Sequence, residues 1–108
     1  MEELEANIQI EYGIGETVIL FNDESILEEH QIKNLENAIV PAINKNKDGV
    51  LSLNFGYVQL MSSSVLGLLV KIQKKVNELG GHLKLLNVNP NIYKVFKITH
   101  LTKVFDIS

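Results

Sequence analysis

Three consecutive serines, Ser62, Ser63 and Ser64, stand directly before an apolar segment with helical spacing. The first backbone N–H groups of a helix lack partners within the helix and carry partial positive charge. A serine placed there can accept one of these N–H groups, and an anion at the same place is stabilised by the helix terminus. From the residue types alone, the serine run is best explained as a helix N-cap.

The other residues that could do chemistry do not form a catalytic or metal-binding set. The pair Glu28-Glu29 is typical of a solvated first helical turn, where negative charge is favoured. His30, His82 and His100 are far apart in sequence and lack a second ligand at metal spacing, so surface or strand positions are expected. The chain contains no Cys, which excludes thiolate ligands and cysteine nucleophiles. We therefore predict no catalytic residue, no cofactor and no metal, and we do not expect an enzyme.

Composition favours a globular protein that does not bind nucleic acid. Of the 108 residues, 45% are apolar and 21% are charged, which suits one domain over residues 1–108. The net charge is −3 and all ten basic residues are Lys. The chain therefore has neither the excess of positive charge nor the Arg side chains that binding to nucleic-acid phosphates usually requires. The acidic start MEELEANIQ differs from a secretory signal, and the run Val65–Val70 is too short to cross a bilayer. We expect a cytoplasmic protein without membrane insertion.

The chain is predicted to begin its fold with a β-hairpin. Ile8–Tyr12 alternates apolar and polar residues, as does a strand with one buried face. Thr17–Phe21 is β-branched and apolar, and Gly13 and Gly15 mark the turn between the two strands. The two glycines lack the third glycine and the spacing of a dinucleotide-binding loop.

A helix is predicted after the polar stretch 22–25. Its apolar face comprises Ile32, Leu35, Ile39 and Ile43. Pro41 lies inside this pattern and removes one helical hydrogen bond, while its ring crowds the preceding turn. We therefore expect the helix to kink or end near Val40.

The middle of the chain predicts a buried strand and a second helix. Val50–Phe55 is the strand, Gly56–Met61 is a short loop, and the helix covers about 62–79. The core-facing stripe of this helix comprises Val65, Leu69, Ile72, Val76 and Leu79. Within the loop, Leu60 is expected in the core at the strand exit, whereas Met61 could be buried or belong to an exposed partner surface.

The last third of the chain completes an α/β pattern. Gly80-Gly81 ends the second helix, His82–Val88 is a strand, and Asn89-Pro90 opens a third helix. A final apolar cluster, expected as a short strand or docked tail, comprises Leu101, Val104 and Phe105. Strands that alternate with helices imply parallel pairing. The fold prediction is a mixed sheet of four to five strands, with an N-terminal hairpin and then parallel strands. Three or so helices pack mainly on one face.

The segment Leu53–Ile107 resembles the STAS domains of anti-sigma factor antagonists. Leu66-Gly67 matches the Leu-Gly of the family motif that opens a helix, and Gly80-Gly81 matches the turn that follows. Val88-Asn89-Pro90 matches the junction from strand to helix. Thr99-His100-Leu101 matches the last element, with His where Gly is usual. The first half of the chain matches the family in pattern more than in residues.

The resemblance implies a phosphorylation site in the serine run. Residue by residue, the phosphoacceptor of the family falls on Ser63, with Ser62 and Ser64 as the runners-up. Two positions depart from the motif, because Ser62 stands where Asp is usual and Val65 stands where Gly is usual. These departures remove a carboxylate beside the acceptor and add a branched side chain where a partner's backbone approaches the family protein.

The resemblance also implies a partner surface around the same helix start. An acidic residue before the first helix often lies near the site in this family, and by pattern it is Glu28 or, as the weaker match, Asp23. The expected surface comprises Met61, Ser62, Ser63, Ser64, Val65 and Glu28.

The function implied is regulated binding to a protein partner. The resemblance points to an anti-sigma factor that is also a serine protein kinase, or another signalling protein, with phosphorylation breaking the complex. An alternative is a STAS-type scaffold or transporter-associated binding subunit that is not phosphorylated, which the two departures favour. An enzyme or nucleotide-binding module is disfavoured, because no nucleophile stands beside a base and no glycine-rich loop precedes the helix.

Overall fold

Ten elements of secondary structure lie within residues 6–108, the part of the chain that this computed structural model describes. Residues 1–5 of the acidic start MEELEANIQ lie outside it. The elements in chain order are β1 (Ile8–Tyr12), β2 (Glu16–Phe21), β3 (Ser25–Ile26), α1 (Glu29–Lys45), β4 (Val50–Asn54), β5 (Leu60–Met61), α2 (Ser64–Glu78), β6 (His82–Leu86), α3 (Pro90–Ile98) and β7 (Asp106–Ile107).

Five of these strands form one mixed sheet in the order β1-β2-β4-β6-β7. The hairpin β1–β2 is antiparallel, with Ile10 opposite Ile19. The remaining neighbours are parallel, and one row of cross-strand partners runs from Ile19 through Leu53 to Leu85. The predicted hairpin and the predicted parallel strands are thus confirmed. A final strand is present as β7, but it begins at Asp106, after the apolar cluster to which a strand or docked tail was assigned.

The three helices cover a single face of this sheet. Strand residues that point to the helices, such as Ile19, Leu53 and Leu85, are fully buried and belong to the same core cluster as the buried residues of α1, α2 and α3. Residues that point the other way, such as Val18 and Leu20, are partly exposed and lie outside that cluster. The α/β fold with helices on one face agrees with the prediction.

Helix α2 packs against the sheet as its spacing predicts. It begins at Ser64, within two residues of Ser62. The stripe residues Val65, Leu69, Ile72 and Val76 are all buried, whereas Leu79 is half-buried and lies directly after the last residue of the helix. The glycines that follow end the helix, and Gly80 adopts a positive φ of 81° that favours glycine.

Helix α1 continues past Pro41, from Glu29 to Lys45. Of the two outcomes predicted near Val40, an end of the helix is therefore wrong, and a kink stays a prediction. Pro41 itself is exposed, and so is Asn37, whose carbonyl loses its helical partner and can be hydrated. The next two residues, Ala42 and Ile43, are buried in the core and hold the last turn in place.

A second, two-stranded sheet occupies segments that the sequence pattern assigns to loops. Strands β3 and β5 are parallel, with Ser25 opposite Leu60 and Ile26 opposite Met61. Ile26 is buried and Met61 packs partly against the core, whereas Leu60 is 57% exposed. The expected burial of Leu60 is therefore wrong, because alternate residues of a strand point to opposite sides.

The C-terminal segment is only partly buried. Phe105 lies in the core with its ring edge against Phe96, at a centroid distance of 5.7 Å. Leu101 is half-buried and Val104 is exposed. Of the predicted apolar cluster, Phe105 is therefore the residue that packs the tail against the core. Strand β7 then pairs with β6, with Leu85 opposite Ile107.

Candidate functional site

Strands β3 and β5 bring the starts of α1 and α2 to the same edge of the molecule. Because the two strands are parallel, the residues that follow them leave at the same end. The Ser62 N–H donates to the Ile26 carbonyl at 2.9 Å and extends the pairing to two residues before the first residue of α2. Glu28, two residues after Ile26, and Ser63 therefore stand at neighbouring helix starts.

Ser63 occupies the N-cap position of α2 with an exposed side chain. Its backbone is already helical, with φ −63° and ψ −21°, and its hydroxyl makes no capping hydrogen bond. An N-cap normally has extended backbone angles, which aim the side-chain oxygen at the first-turn N–H groups. The hydroxyl of Ser63 is therefore not used by the helix and faces solvent.

Backbone carbonyl groups, and not the Ser63 hydroxyl, accept hydrogen bonds from the first N–H groups of α2. The Val65 N–H donates to the Ser62 carbonyl at 3.1 Å, and the Leu66 N–H donates to the Ser63 carbonyl at 3.0 Å. These bonds tighten the first turn into 3₁₀ geometry. They occupy two of the N–H groups that an anion at the helix terminus would otherwise use.

The hydroxyls of the three serines differ in accessibility. Ser63 and Ser64 are exposed, whereas the Ser62 oxygen is buried and has no hydrogen-bond partner among the described residues. A buried hydroxyl left without a partner costs about 1–3 kcal/mol. Another protein could therefore reach the hydroxyls of Ser63 and Ser64, but not the hydroxyl of Ser62.

Val65 does not belong to the exposed surface. Its side chain is 2% exposed and packs in the core cluster with Leu69. The expectation that Val65 offers contact area to a partner is corrected accordingly. Because the branched side chain points inward, it also does not obstruct the approach of another backbone to the helix start.

Because residue 67 is glycine, no side chain projects from the exposed side of α2 next to Ser63. Gly67 lies four residues after Ser63, so both residues face the same side of the helix. A Cβ atom built on Gly67 has no atom within 4 Å apart from the nearby backbone of its own helix. Packing within the chain therefore does not require glycine here, and the missing side chain leaves space outside the helix.

The two candidate carboxylates have different environments. The Asp23 oxygens accept from Asn7 Nδ2 and from Gln31 Nε2, each at 3.0 Å, so Asp23 holds the loop before α1. Glu28 is exposed. It is the N-cap of α1 and forms a capping box with Gln31, and its Oε1 lies 3.3 Å from Nδ1 of the equally exposed His30. Glu28 is the carboxylate that remains accessible at the α1 start.

Exposed apolar side chains lie on the segments that lead to the two helix starts. Leu27, directly after β3, is 51% exposed, and Leu60 on the paired strand is exposed to a similar extent. Tyr57 is also exposed, on a loop that Asn89 holds by donating from Nδ2 to the Val58 carbonyl at 2.9 Å. Sequence reasoning missed Leu27 and Tyr57. Apolar residues in such short segments show no periodicity that separates exposed from buried positions.

Neither a metal centre nor a membrane span is found in the described part of the chain. Residues 6–108 contain no group of three or more His, Asp or Glu side chains that could hold a metal ion. Across the same residues, each helix falls short of the length and apolar character needed to cross a bilayer.

Comparison with known proteins identifies the family. The model of the STAS domain family matches residues 7–108. The chain belongs to the STAS domain family. An anti-sigma-B factor antagonist of Bacillus subtilis (strain 168) is 30% identical over 102 residues, covering 94% of this chain and 92% of that protein. An anti-sigma F factor antagonist of Paenibacillus polymyxa is 26% identical over 101 residues, covering 94% of this chain and 86% of that protein.

Solved structures share the STAS fold. An anti-sigma-factor antagonist (STAS) domain protein from Planctomyces limnophilus superposes with a TM-score of 0.85 at 23% identity, covering 94% of this chain and 89% of that chain. The phosphorylated form of the Bacillus cell fate determinant SpoIIAA superposes with a TM-score of 0.70 at 24% identity, covering 94% of this chain and 90% of that chain. Identities this low establish the fold alone.

Proposed function

We propose that this STAS protein is an anti-sigma factor antagonist that acts by binding a protein partner and not by catalysis. The observation that carries the proposal is the exposed hydroxyl of Ser63, which the helix does not use, at the junction of two helix starts. The names of its curated relatives support the same function. The proposed place of action is the cytoplasm, where sigma factors act.

The proposed binding surface extends from the α2 start to the α1 start. Ser63, Ser64 and Glu28 supply exposed polar groups, and half-buried Met61 and Ser62 form its floor. Leu27, Tyr57 and Leu60 add exposed apolar area, which in a protein interface supplies most of the affinity. Val65 supports this surface from the core.

The proposed switch is phosphorylation of Ser63 by an anti-sigma factor that is also a serine kinase. A phosphoserine adds about −1.5 to −2 charges at pH 7. Four carboxylates (Asp23, Glu24, Glu28 and Glu29) already lie around the α1 start. Two first-turn N–H groups of α2 are bonded to carbonyls, and the chain lacks Arg. A phosphate is therefore poorly neutralised within this chain, and burying it in an interface is costly.

A second candidate function is constitutive binding without phosphorylation, as a scaffold or transporter-associated subunit. Ser62 favours this second function, because it replaces the Asp of the family motif. The chain therefore lacks the carboxylate that would orient the acceptor, and the Ser62 hydroxyl in its place is buried. A similar fold also occurs in the murine anion transporter Slc26a9, with a TM-score of 0.65, 14% identity and coverage of 80% of this chain and 14% of that chain, which shows the fold alone.

Affinity capture of the chain from native lysate, with intact-mass measurement of the endogenous protein, tests the proposal. The expected result is an anti-sigma factor with serine kinase activity in the captured complex, and a phosphorylated fraction modified at Ser63 in the free protein. Capture of transporter components by a chain that never carries phosphate would support the second candidate instead.

A further inference from the structure

Charge is distributed unevenly between the two halves of the chain. Residues 6–49 carry eight carboxylates and three lysines, whereas α2, α3 and the loop 99–105 carry six lysines and the single carboxylate Glu78. The net charge of −3 therefore conceals a basic region on the helical layer. Such asymmetry indicates a surface for an anionic partner.

Exposed aliphatic side chains lie among these lysines. Val70 lies about one turn before Gln73 on α2, and Gln73 Nε2 donates to the Val104 carbonyl, which places Val70 and Val104 near each other. At the end of α3, Ile98 is 76% exposed. The basic face is defined as Val70, Lys74, Lys97, Ile98, Lys103 and Val104, all of which are exposed.

We propose that the basic face binds the surface of an anionic lipid bilayer without inserting a helix into it. Exposed lysines near anionic headgroups contribute about fivefold each to binding, equivalent to about 1 kcal/mol. Aliphatic side chains between them enter the boundary between headgroups and acyl chains. The lysine stems reach along the apolar layer while their ammonium groups stay in water.

The composition of the basic face favours a bilayer over an acidic protein. Tight protein interfaces rely on Arg, Trp and Tyr at central positions, and Arg is the residue that binds carboxylates in bidentate geometry. The chain has neither Arg nor Trp, and the apolar side chains of the basic face come from three separate segments. A soft planar surface tolerates this dispersed arrangement, because it needs no matching shape.

The basic face is separate from the proposed partner surface. Val70, the residue of the basic face nearest to Ser63 along α2, lies seven residues after it, or about 10 Å along a helix axis at 1.5 Å per residue. The two surfaces share no residue, so a failure of the lipid proposal leaves the antagonist proposal untouched.

Co-sedimentation of the full chain with vesicles tests the proposal. Vesicles of phosphatidylglycerol and phosphatidylcholine in equal parts should bind the chain, with the partition coefficient falling as salt rises, while pure phosphatidylcholine should not. The triple variant Lys74→Ala, Lys97→Ala, Lys103→Ala should lower the partition coefficient about 100-fold. Ile98→Ser should lower it at least about fivefold, because the aliphatic contact is lost.

A matched control is the triple variant Lys33→Ala, Lys45→Ala, Lys47→Ala, which changes the net charge equally on the other half of the chain. It should change the partition coefficient less than about threefold. Equal loss in both triple variants, equal binding to neutral vesicles, or no binding to anionic vesicles overturns the proposal. Binding to soluble polyglutamate without vesicle binding also overturns it, in favour of an acidic polypeptide. Circular dichroism of each variant verifies that the fold is retained.

Discussion

At the level of single residues, the proposed function depends on the free hydroxyl of Ser63. Sequence reasoning placed this residue correctly at the helix start, but the residue type alone suggests a capping role. The helical backbone angles of Ser63 remove that role and leave the oxygen exposed. Asn89 is the opposite case, because its Oδ1 accepts the Ile92 N–H at 2.9 Å and caps α3.

Alanine substitution at these two positions should separate the roles. Ser63→Ala removes no cap bond and should change the free energy of unfolding by less than about 0.5 kcal/mol. Asn89→Ala loses both the cap and the bond to the Val58 carbonyl, and should cost about 1–2 kcal/mol. Urea denaturation measures both values. An equal cost for the two variants would show that Ser63 does cap the helix.

Leu60 is the residue at which burial was predicted incorrectly, and its exposure is testable. Leu60→Ser should leave stability within about 0.5 kcal/mol of wild type, because the side chain already faces water. It should weaken partner binding at least about tenfold, because an apolar contact of the interface is lost. Titration calorimetry with the captured partner checks this.

Ile14 supplies the control for Leu60. It is fully exposed at the hairpin turn before β2, whereas the proposed surface lies beyond the other end of that strand. Ile14→Ser should leave the affinity within about twofold, since substitutions outside an interface are close to neutral. If both serine variants bind equally well, Leu60 lies outside the interface.

At the element scale, long periodic segments were predictable and short ones were not. The hairpin and α2 each repeat their pattern over enough residues for one face to be identified. Strands β3 and β5 have two residues each, so no period can be read from them, and their pairing depends on contacts distant in sequence. This pair positions the site, which is why Glu28 could be placed only loosely beforehand.

Pro41 shows how tertiary packing overrides a local rule. A proline costs about 3 kcal/mol in a helix interior. Ala42 and Ile43 are buried immediately after it, and the core contacts of these residues keep the last turn helical. Local propensity could not predict this outcome, because it contains no information on what the turn packs against.

Helix α2 offers a prediction that separates stability from binding. Gly67→Ala should raise the free energy of unfolding by about 1 kcal/mol, because alanine favours the helix and the new Cβ meets no atom apart from the nearby backbone of its own helix. Gly67→Gln should also be stable but should weaken partner binding, because its longer side chain enters the space beside Ser63. Melting temperature and affinity, measured together, check both variants. Unchanged affinity in the glutamine variant would place Gly67 outside the interface.

At the scale of the whole molecule, the fold presents two helix starts together at one edge. The sheet with helices on one face could be predicted from the order of strands and helices. Which side chains are exposed around those helix starts could not, because exposure there depends on the β3–β5 pair and on the inward orientation of Val65. The proposed mechanism requires no large conformational change, since the modified surface is also the binding surface.

The affinity of the captured partner for Ser63→Asp, compared with Ser63→Ala and wild type, decides whether the surface around Ser63 binds the partner. A negative charge at Ser63 would be desolvated beside the α1 carboxylates, so Ser63→Asp should weaken binding at least about tenfold. Ser63→Ala should bind within about threefold of wild type, because the hydroxyl makes no capping bond. Equal and undiminished binding by both variants would contradict the claim that the surface around Ser63 contacts the partner.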